Sequence, residues 1–389
     1  MKKIRRDESQ ACMAIESSSF AVQPVLSFFL PFFMPLFLSF FLTGCGTGGP
    51  TADKMLVTAS EQRNGYECRL VEFTAADGDV VPAYLLVPDA AEETECPAVL
   101  MLHDHGARFD IGKEKLVSPL RMAPVHVTAS SRQWADKYFD GAYMADSLAS
   151  KGYVVLVPDA LYWGGRSASD AQKWSRLEFG QAESEAQTTA DVDRRDSLKT
   201  LKKRVFDGQK VMADSLLRNG VVWAEKILSD DADALSLLAS LPYVDESRIG
   251  AFGFSMGAHR CWLLSASSDV VKCGAAVCWM MMKEDYDDSS VSDLSMRIPS
   301  LRDRYDFPDV ARFTFPKPML FISGREDHLF PSASVEKAFD RMRRIYSEKG
   351  AAGAGECLVT EFSDEGHHCG LAVQREVYGF FDRHLASGG

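Results

Sequence analysis

Hydrophobic positions along this chain switch between a strand period and a helix period, and the switches lay out a series of elements. Residues 67–73 and 80–87 alternate or run apolar on either side of Asp77-Gly78, which predicts an antiparallel hairpin. Residues 97–102, Pro-Ala-Val-Leu-Met-Leu, are a short unbroken apolar run, the pattern of a strand covered on both faces, and they end in His103-Asp104-His105-Gly106. A polar stretch with Gly112-Lys113-Glu114-Lys115 and an irregular segment follow, to about Ser131. Trp134, Phe139, Tyr143 and Leu148 then fall at helical spacing in a segment that stops at Gly152, and residues 153–157 read as another buried strand closing with Pro158-Asp159. Residues 161 to about 207 break this rhythm: they are rich in Gln, Ser, Asp, Glu, Lys and Arg, and predict an inserted lid or a solvated charged surface.

From about Gly208 to Ser229, Met212, Leu216, Trp223 and Ile227 share one helical face, and a second piece carrying Leu235, Leu238 and Leu241 stops at Pro242. A strand from Arg248 runs into Gly253-Phe254-Ser255-Met256-Gly257 and a buried helix through Cys261 to Leu264. Residues 272–279 and 318–323 are further strands, separated by an irregular polar stretch, 284–315, that suits part of a cap. Val335, Phe339, Met342 and Ile345 mark a helix, residues 357–362 the last strand, and Val373, Val377, Phe380 and Phe381 the closing helix. The order predicts an α/β fold: a mostly parallel central sheet with an N-terminal antiparallel hairpin, helices on both faces and a lid insertion.

Composition narrows the partners. The 389 residues are 46% hydrophobic and 25% charged, ordinary for a globular protein. A net charge of −12 argues against a phosphate-binding surface, so nucleic acid is excluded as a partner. Nine cysteines are too few for a disulfide scaffold, no C-x-x-C spacing suggests zinc, and no dinucleotide or P-loop signature suggests a cofactor. The chain opens with Lys2, Lys3, Arg5 and Arg6, then an almost wholly apolar run from Val25 to Leu42, then Leu42-Thr43-Gly44-Cys45. That tetrapeptide resembles the lipobox of bacterial lipoproteins, whose cysteine is acylated. The expected division is a lipoprotein signal peptide over 1–44, with a plain signal peptide or an uncleaved transmembrane anchor as the alternatives, a Gly/Thr-rich tether over 45–60 and a globular domain over 61–389 with insertions at about 161–207 and 284–315. A lipid on Cys45 makes the membrane a partner and places the protein in the cell envelope, periplasmic or at the outer membrane, where the remaining cysteines meet an oxidising setting.

In an open α/β sheet, ligands gather at the carboxyl ends of the strands, and four such ends here carry polar groups that fit one reaction. Ser255 sits in G-x-S-x-G, a turn that lifts a hydroxyl above the sheet and lets the Met256 amide face a developing oxyanion. A serine hydroxyl needs a base; His367, or its neighbour His368, follows the last strand just past Gly366. The base needs an orienting carboxylate, for which Asp327, or Glu326 beside it, follows the preceding strand. The loop after residues 97–102 offers Gly106 and Ala107 as the second oxyanion donor. His103 and His105 share a face at strand spacing, but no further ligand at clear spacing supports a metal there. Tyr162, Trp163 and Trp279 also follow strand ends and, with His103 and His105, are candidates for substrate-pocket walls, with core packing as the alternative.

The order Ser255, Asp327, His367, together with Leu238-Ala239-Ser240-Leu241-Pro242-Tyr243-Val244-Asp245 leading to Arg248-Ile249-Gly250, G-x-x-D-x-x-x-P from Gly324 to Pro331, and Gly366-His367, resembles the α/β-hydrolase superfamily. The resemblance covers about residues 65–387 and is nearest to the dienelactone-hydrolase and acetyl-xylan-esterase-like branch. Dienelactone hydrolases proper carry cysteine where this chain has Ser255, which moves the expectation towards serine esterases. The resemblance implies hydrolysis of carboxylic esters, small-molecule or glycan, by a Ser-His-Asp triad without a cofactor. A peptidase or amidase on the same triad and a catalytically silent binding lipoprotein are the rival expectations.

Overall fold

The structure, a computed structural model, describes residues 49–180, 190–286, 293–350 and 357–386. The basic start, the apolar run and Cys45 lie outside the described residues, as does part of each expected insertion. Among the described residues no helix is long and apolar enough to cross a membrane.

One nine-stranded sheet organises the chain. Its strands are β1 (Leu56–Arg63), β2 (Tyr66–Thr74), β3 (Val80–Pro88), β4 (Cys96–Leu102), β5 (Val154–Pro158), β6 (Val244–Phe254), β7 (Cys273–Val277), β8 (Met319–Gly324) and β9 (Leu358–Ser363). The spatial order is β1-β2-β3-β5-β4-β6-β7-β8-β9. The first three strands and the β3–β5 pair run antiparallel, and every later pair runs parallel. The expected hairpin is therefore the inner part of a three-stranded meander. The tether ends before residue 56, not at 60, because Leu56 already pairs with Glu72. β1 escapes a hydrophobicity reading because it is an edge strand, mostly exposed and polar after Val57.

The helices are α1 (Val125–Tyr138), α2 (Met144–Ala149), α3 (Ser169–Phe179), α4 (Ala190–Arg218), α5 (Trp223–Ala239), α6 (Met256–Ser267), α7 (Ser332–Glu348) and α8 (Leu371–Leu385). Single helical turns at Asp293–Met296, Pro299–Arg302 and Ala311–Thr314 occupy the stretch before β8. Alternate strand residues feed two cores. Ala98, Leu100, Leu102, Ile249 and Ala251 face α5, α6 and α7, while Val99, Met101, Phe252 and Phe254 face α1, α2 and α8. Val335, Phe339, Met342 and Ile345 of α7 and Val373, Val377, Phe380 and Phe381 of α8 are all buried, as their spacing predicts.

Three segmentations differ from the sequence pattern. The single helix expected over 134–150 is two, because Asp140 (φ 52°) and Gly141 (φ 74°) turn the chain between α1 and α2. The face shared by Met212 and Trp223 is divided between α4 and α5 by Gly220 (φ 80°), and Leu235 and Leu238 belong to that same α5. The described part of 161–207 is largely helical, in α3 and the first half of α4.

α6, which follows Ser255, is tied laterally to α5 by a buried bidentate pair: Arg260 Nε to Asp231 Oδ2 at 2.8 Å and Nη2 to Oδ1 at 2.6 Å. Both side chains are fully enclosed, so removing one strands the other as an uncompensated charge. Asp231→Ala should lower the unfolding free energy by about 3–5 kcal/mol, and the double change Asp231→Leu with Arg260→Met should recover most of it. Urea denaturation measures both; a single variant as stable as wild type would show that the pair contributes little.

Candidate active site

β6 delivers Ser255 at φ 54°, ψ −121°, a conformation that L-residues rarely occupy. Two glycines make the turn sterically possible. A Cβ on Gly253 would lie 1.9 Å from the Gly257 carbonyl oxygen, and one on Gly257 would lie 1.9 Å from that of Leu102. The Ser255 amide donates to the Val277 carbonyl at 2.8 Å, which pins the turn to the end of β7. Met256 opens α6, so its amide has no preceding turn to bond within the helix.

The last two strands bring the other polar groups to the same edge. His367 Nε2 lies 2.9 Å from Ser255 Oγ, and His367 Nδ1 lies 2.7 Å from Asp327 Oδ2. Asp327 is held in turn: its Oδ1 accepts the amides of Leu329 (2.8 Å) and Phe330 (3.3 Å). The Phe330 ring stacks on His367 at 5.9 Å. The competing residues lie elsewhere. Glu326 is exposed, and His368 turns to Glu365 (3.1 Å) and Asp140 (3.3 Å). An open cleft of about 630 Å³, lined by Tyr138, His328, Leu329 and Gly366, leads to His367.

The loop after β4 is built on buried charge. Gly106 (φ 54°) and Ala107 (φ 51°) both take the left-handed region, and a Cβ on Gly106 would meet the Trp134 ring at 2.2 Å. Lys115 Nζ, fully buried, donates to the carbonyls of Asp104 (2.7 Å) and His105 (3.0 Å), and Trp134 Nε1 donates to Asp104 Oδ1 at 3.1 Å. Burial pushes the Lys115 ammonium down to about 8 against the opposing pull of Asp104. His105 is driven down to about 3 by burial and then by Lys115, so its imidazole is neutral. Its Nδ1 accepts the Ala107 amide at 3.0 Å. That amide is committed inside the loop, which corrects its expected role as oxyanion donor and leaves Gly106 as the loop's candidate beside Met256.

α3, in the expected insertion, is fastened to this loop. The Arg108 guanidinium lies about 5 Å from the rings of Trp174 (5.1 Å) and Phe179 (5.0 Å) on α3 and 5.6 Å from Trp134 on α1. It bonds Asp110, Gln133 and Ser130, and Ser175 of α3 donates to Asp110 at 2.8 Å.

The expected pocket walls are core instead. His103 is fully buried and accepts the Ala160 amide on Nε2 at 3.1 Å. Trp163 Nε1 donates to the His105 carbonyl at 3.0 Å, and Tyr162 donates to the Val205 carbonyl at 2.9 Å. Trp279 is enclosed by His259 and Phe307 and donates to Met296 Sδ. These residues do follow strand ends, but pack beneath the edge rather than on it. Sequence reasoning missed three contributors. Lys115 was visible only as one of a polar run, Trp134 only as a helix-core position, and Cys278 only as a strand residue. Cys278 (φ 57°) is buried beside Asp327, and its thiol donates to the His368 carbonyl at 3.3 Å.

The buried lysine gives a pH dependence with a definite sign. Its folded-state value, about 8, is below the unfolded value of about 10.4, so between them the unfolded chain binds more protons and this residue's contribution to stability rises with pH. The unfolding free energy of wild type minus that of Lys115→Met should therefore move in favour of wild type by up to about 3 kcal/mol from pH 8 to pH 10.4. Urea titrations at stepped pH measure it; a flat difference would mean that Lys115 titrates as in the unfolded chain.

Comparisons with known proteins agree with this architecture. Across 339 residues the chain is 26% identical to YtaP of Bacillus subtilis (strain 168), covering 86% of this chain and 93% of that protein. Its fold is similar to that of acetyl xylan esterase 1 from Thermoanaerobacterium sp. JW/SL YS485, with TM-score 0.52, 16% identity, and 90% and 92% of the two chains covered. It is also similar to that of the glucuronoyl esterase from Solibacter usitatus, with TM-score 0.55, 10% identity, and 85% and 86% covered. The sequence model of the dienelactone hydrolase family matches residues 138–345, which run from the end of α1 through β6, the Ser255 turn and Asp327. With its α/β-hydrolase sheet and this match over more than half its length, the chain is a hydrolase of the dienelactone hydrolase family.

Proposed function

We propose that this hydrolase cleaves carboxylic esters through an acyl-enzyme on Ser255. The observation that carries the reading is the unbroken line from Ser255 Oγ to His367 (2.9 Å) and from His367 to Asp327 (2.7 Å), with His367 lining an open cleft. With Asp327 accepting from Nδ1–H, the Nε2 lone pair faces the serine hydroxyl. His367 takes the Ser255 proton as Oγ attacks the ester carbonyl. The Met256 and Gly106 amides then face the oxygen on which charge develops. The imidazolium, stabilised by Asp327, gives its proton to the leaving alcohol. Water enters by the same route, loses a proton to His367 and releases the acid. Cys278 is no rival nucleophile: burial, then the Asp327 charge, pushes its thiol up to about 12, and the thiolate is the reactive form.

The acyl and alcohol groups we propose are those of carbohydrate esters. The support is the fold likeness to proteins named as an acetyl xylan esterase and a glucuronoyl esterase, together with the open cleft beside His367. We place the protein at the cell envelope, held by a lipid on Cys45; the support is the lipobox-like sequence that ends there.

Hydrolysis of a short-chain aryl ester by the full chain tests the mechanism. Ser255→Ala and His367→Ala should each lower kcat by about 10⁴-fold or more, and Asp327→Asn by about 10⁴-fold through the wrong imidazole tautomer. The kcat of each variant is the readout. Wild-type turnover in the serine or histidine variant would overturn the assignment. A panel of acetylated oligosaccharides, uronate esters and amides then tests the substrate class.

A further inference from the structure

Behind the Ser255–His367–Asp327 line lies a third soft or anionic donor that the proposed reaction does not use. Cys278 Sγ, a carboxylate oxygen of Asp327 and a ring nitrogen of His367 all lie within 4.8 Å of one another, and Nδ1 is the nitrogen that meets Asp327, at 2.7 Å. Cys278 and Asp327 are buried, and of the three only His367 lines the open cleft. We propose that these three residues form an inhibitory site for a thiophilic divalent cation such as Zn²⁺ or Cd²⁺.

Three physical arguments support it. A tetrahedral zinc ion with bonds of about 2.0–2.3 Å sets its ligand atoms roughly 3.3–3.8 Å apart, so the three donors need shift by only about 1 Å. One thiolate and one carboxylate neutralise a dication, and the imidazole adds a neutral third ligand; a complex with no net charge is the one a buried site tolerates. A sulfur, nitrogen and oxygen set selects borderline-soft ions over Mg²⁺ or Ca²⁺.

Occupation stops the proposed reaction through the imidazole. The ion takes the place of the thiol proton, which leaves to solvent, so one proton is released and a metal–sulfur bond replaces the S–H bond. The Nδ1 lone pair becomes a ligand and the ring's single proton moves to Nε2, so the ring stays neutral and no electrons are transferred. Nε2 then donates rather than accepts, and Ser255 has no base. The thiol also leaves the His368 carbonyl, to which it donates at 3.3 Å, freeing the loop that carries His367 to settle round the ion.

Cadmium titration of the full chain in detergent tests this, because a cadmium–thiolate bond has its own ultraviolet charge-transfer absorption. Cys12, Cys45 and the partly exposed Cys357 are replaced by serine to remove competing thiols. The absorption should grow to one equivalent, in step with loss of ester hydrolysis, and both should reverse with EDTA while Mg²⁺ has no effect. Adding Cys278→Ser should abolish the absorption and raise the inhibiting concentration about tenfold to a hundredfold, relative to whatever turnover that variant keeps. An absorption that persists in Cys278→Ser, inhibition without absorption, or no absorption at one equivalent would each overturn the proposal. If Cys278→Ser does not fold, agreement of absorption with inhibition in the parent chain decides. The inhibition rests on the esterase reading and the absorption does not, so a chain that binds cadmium but cleaves no ester would refute that reading and leave the site.

Discussion

The close approach of α6 to the end of β4 is the constraint on which the rest depends. With Gly257 against the Leu102 carbonyl there is no room for a Cβ, and Gly253 is pressed as tightly on the Gly257 backbone. The chain can pass between β6 and α6 only through a sharp turn, and Ser255 is held at its apex in a strained conformation. Surrounding order must hold such strain in place. It comes from the Val277 carbonyl on the Ser255 amide just before the helix and from the Arg260–Asp231 pair within the helix's first turn and a half. Because β4 and β6 to β9 run parallel, their carboxyl ends lie along a single edge. One backbone turn therefore places a hydroxyl where the loops after β4, β8 and β9 can reach it.

Those loops are set by buried polar groups more than by apolar packing. Lys115 reaches two consecutive carbonyls of the loop after β4, and Asp104 receives Trp134 from the opposite side. The ammonium is kept less basic than usual by its enclosure, and it in turn helps to keep His105 neutral, so that Nδ1 can fix the Ala107 amide. A loop with two successive left-handed residues has little intrinsic preference for its shape, and each of these bonds removes an alternative. Building the loop on buried charge fixes its dipoles, so that they act without reorganisation.

Legibility in the sequence followed locality. The strand ends carrying Ser255, Asp327 and His367 are visible because a short motif states both a backbone shape and a side chain at once: G-x-S-x-G for the turn, G-x-x-D-x-x-x-P for the acid and Gly-His for the base. The choice of His367 over His368 rests on which ring meets Asp327, and only tertiary contacts reveal it. Trp163 and Trp279 mislead for the same reason: following a strand end does not say whether a ring points above the edge or beneath it. Lys115 and Cys278 could not have been found, since a buried lysine and a buried thiol have no sequence signature apart from their neighbours. β1 and the break at Gly220 were lost to composition, a polar edge strand in one case and a helical face continued across a turn in the other.

The helical part of residues 161–207 bears on the shape of the loop after β4. Arg108, only one residue past Ala107, lies among rings contributed by α3 and α1, and Asp110 is bonded by Ser130 of α1 and Ser175 of α3. α3 is thus bound to the loop that presents Gly106. Ala171 and Trp174 of α3, with Val205 of α4, bound a small cavity against Ala107 and Phe109. A side chain that reshapes this cavity also alters the hold on Arg108. A change made through α3 is therefore transmitted to the loop after β4, whereas one made at the cleft beside His328 and Leu329 touches no residue of that loop.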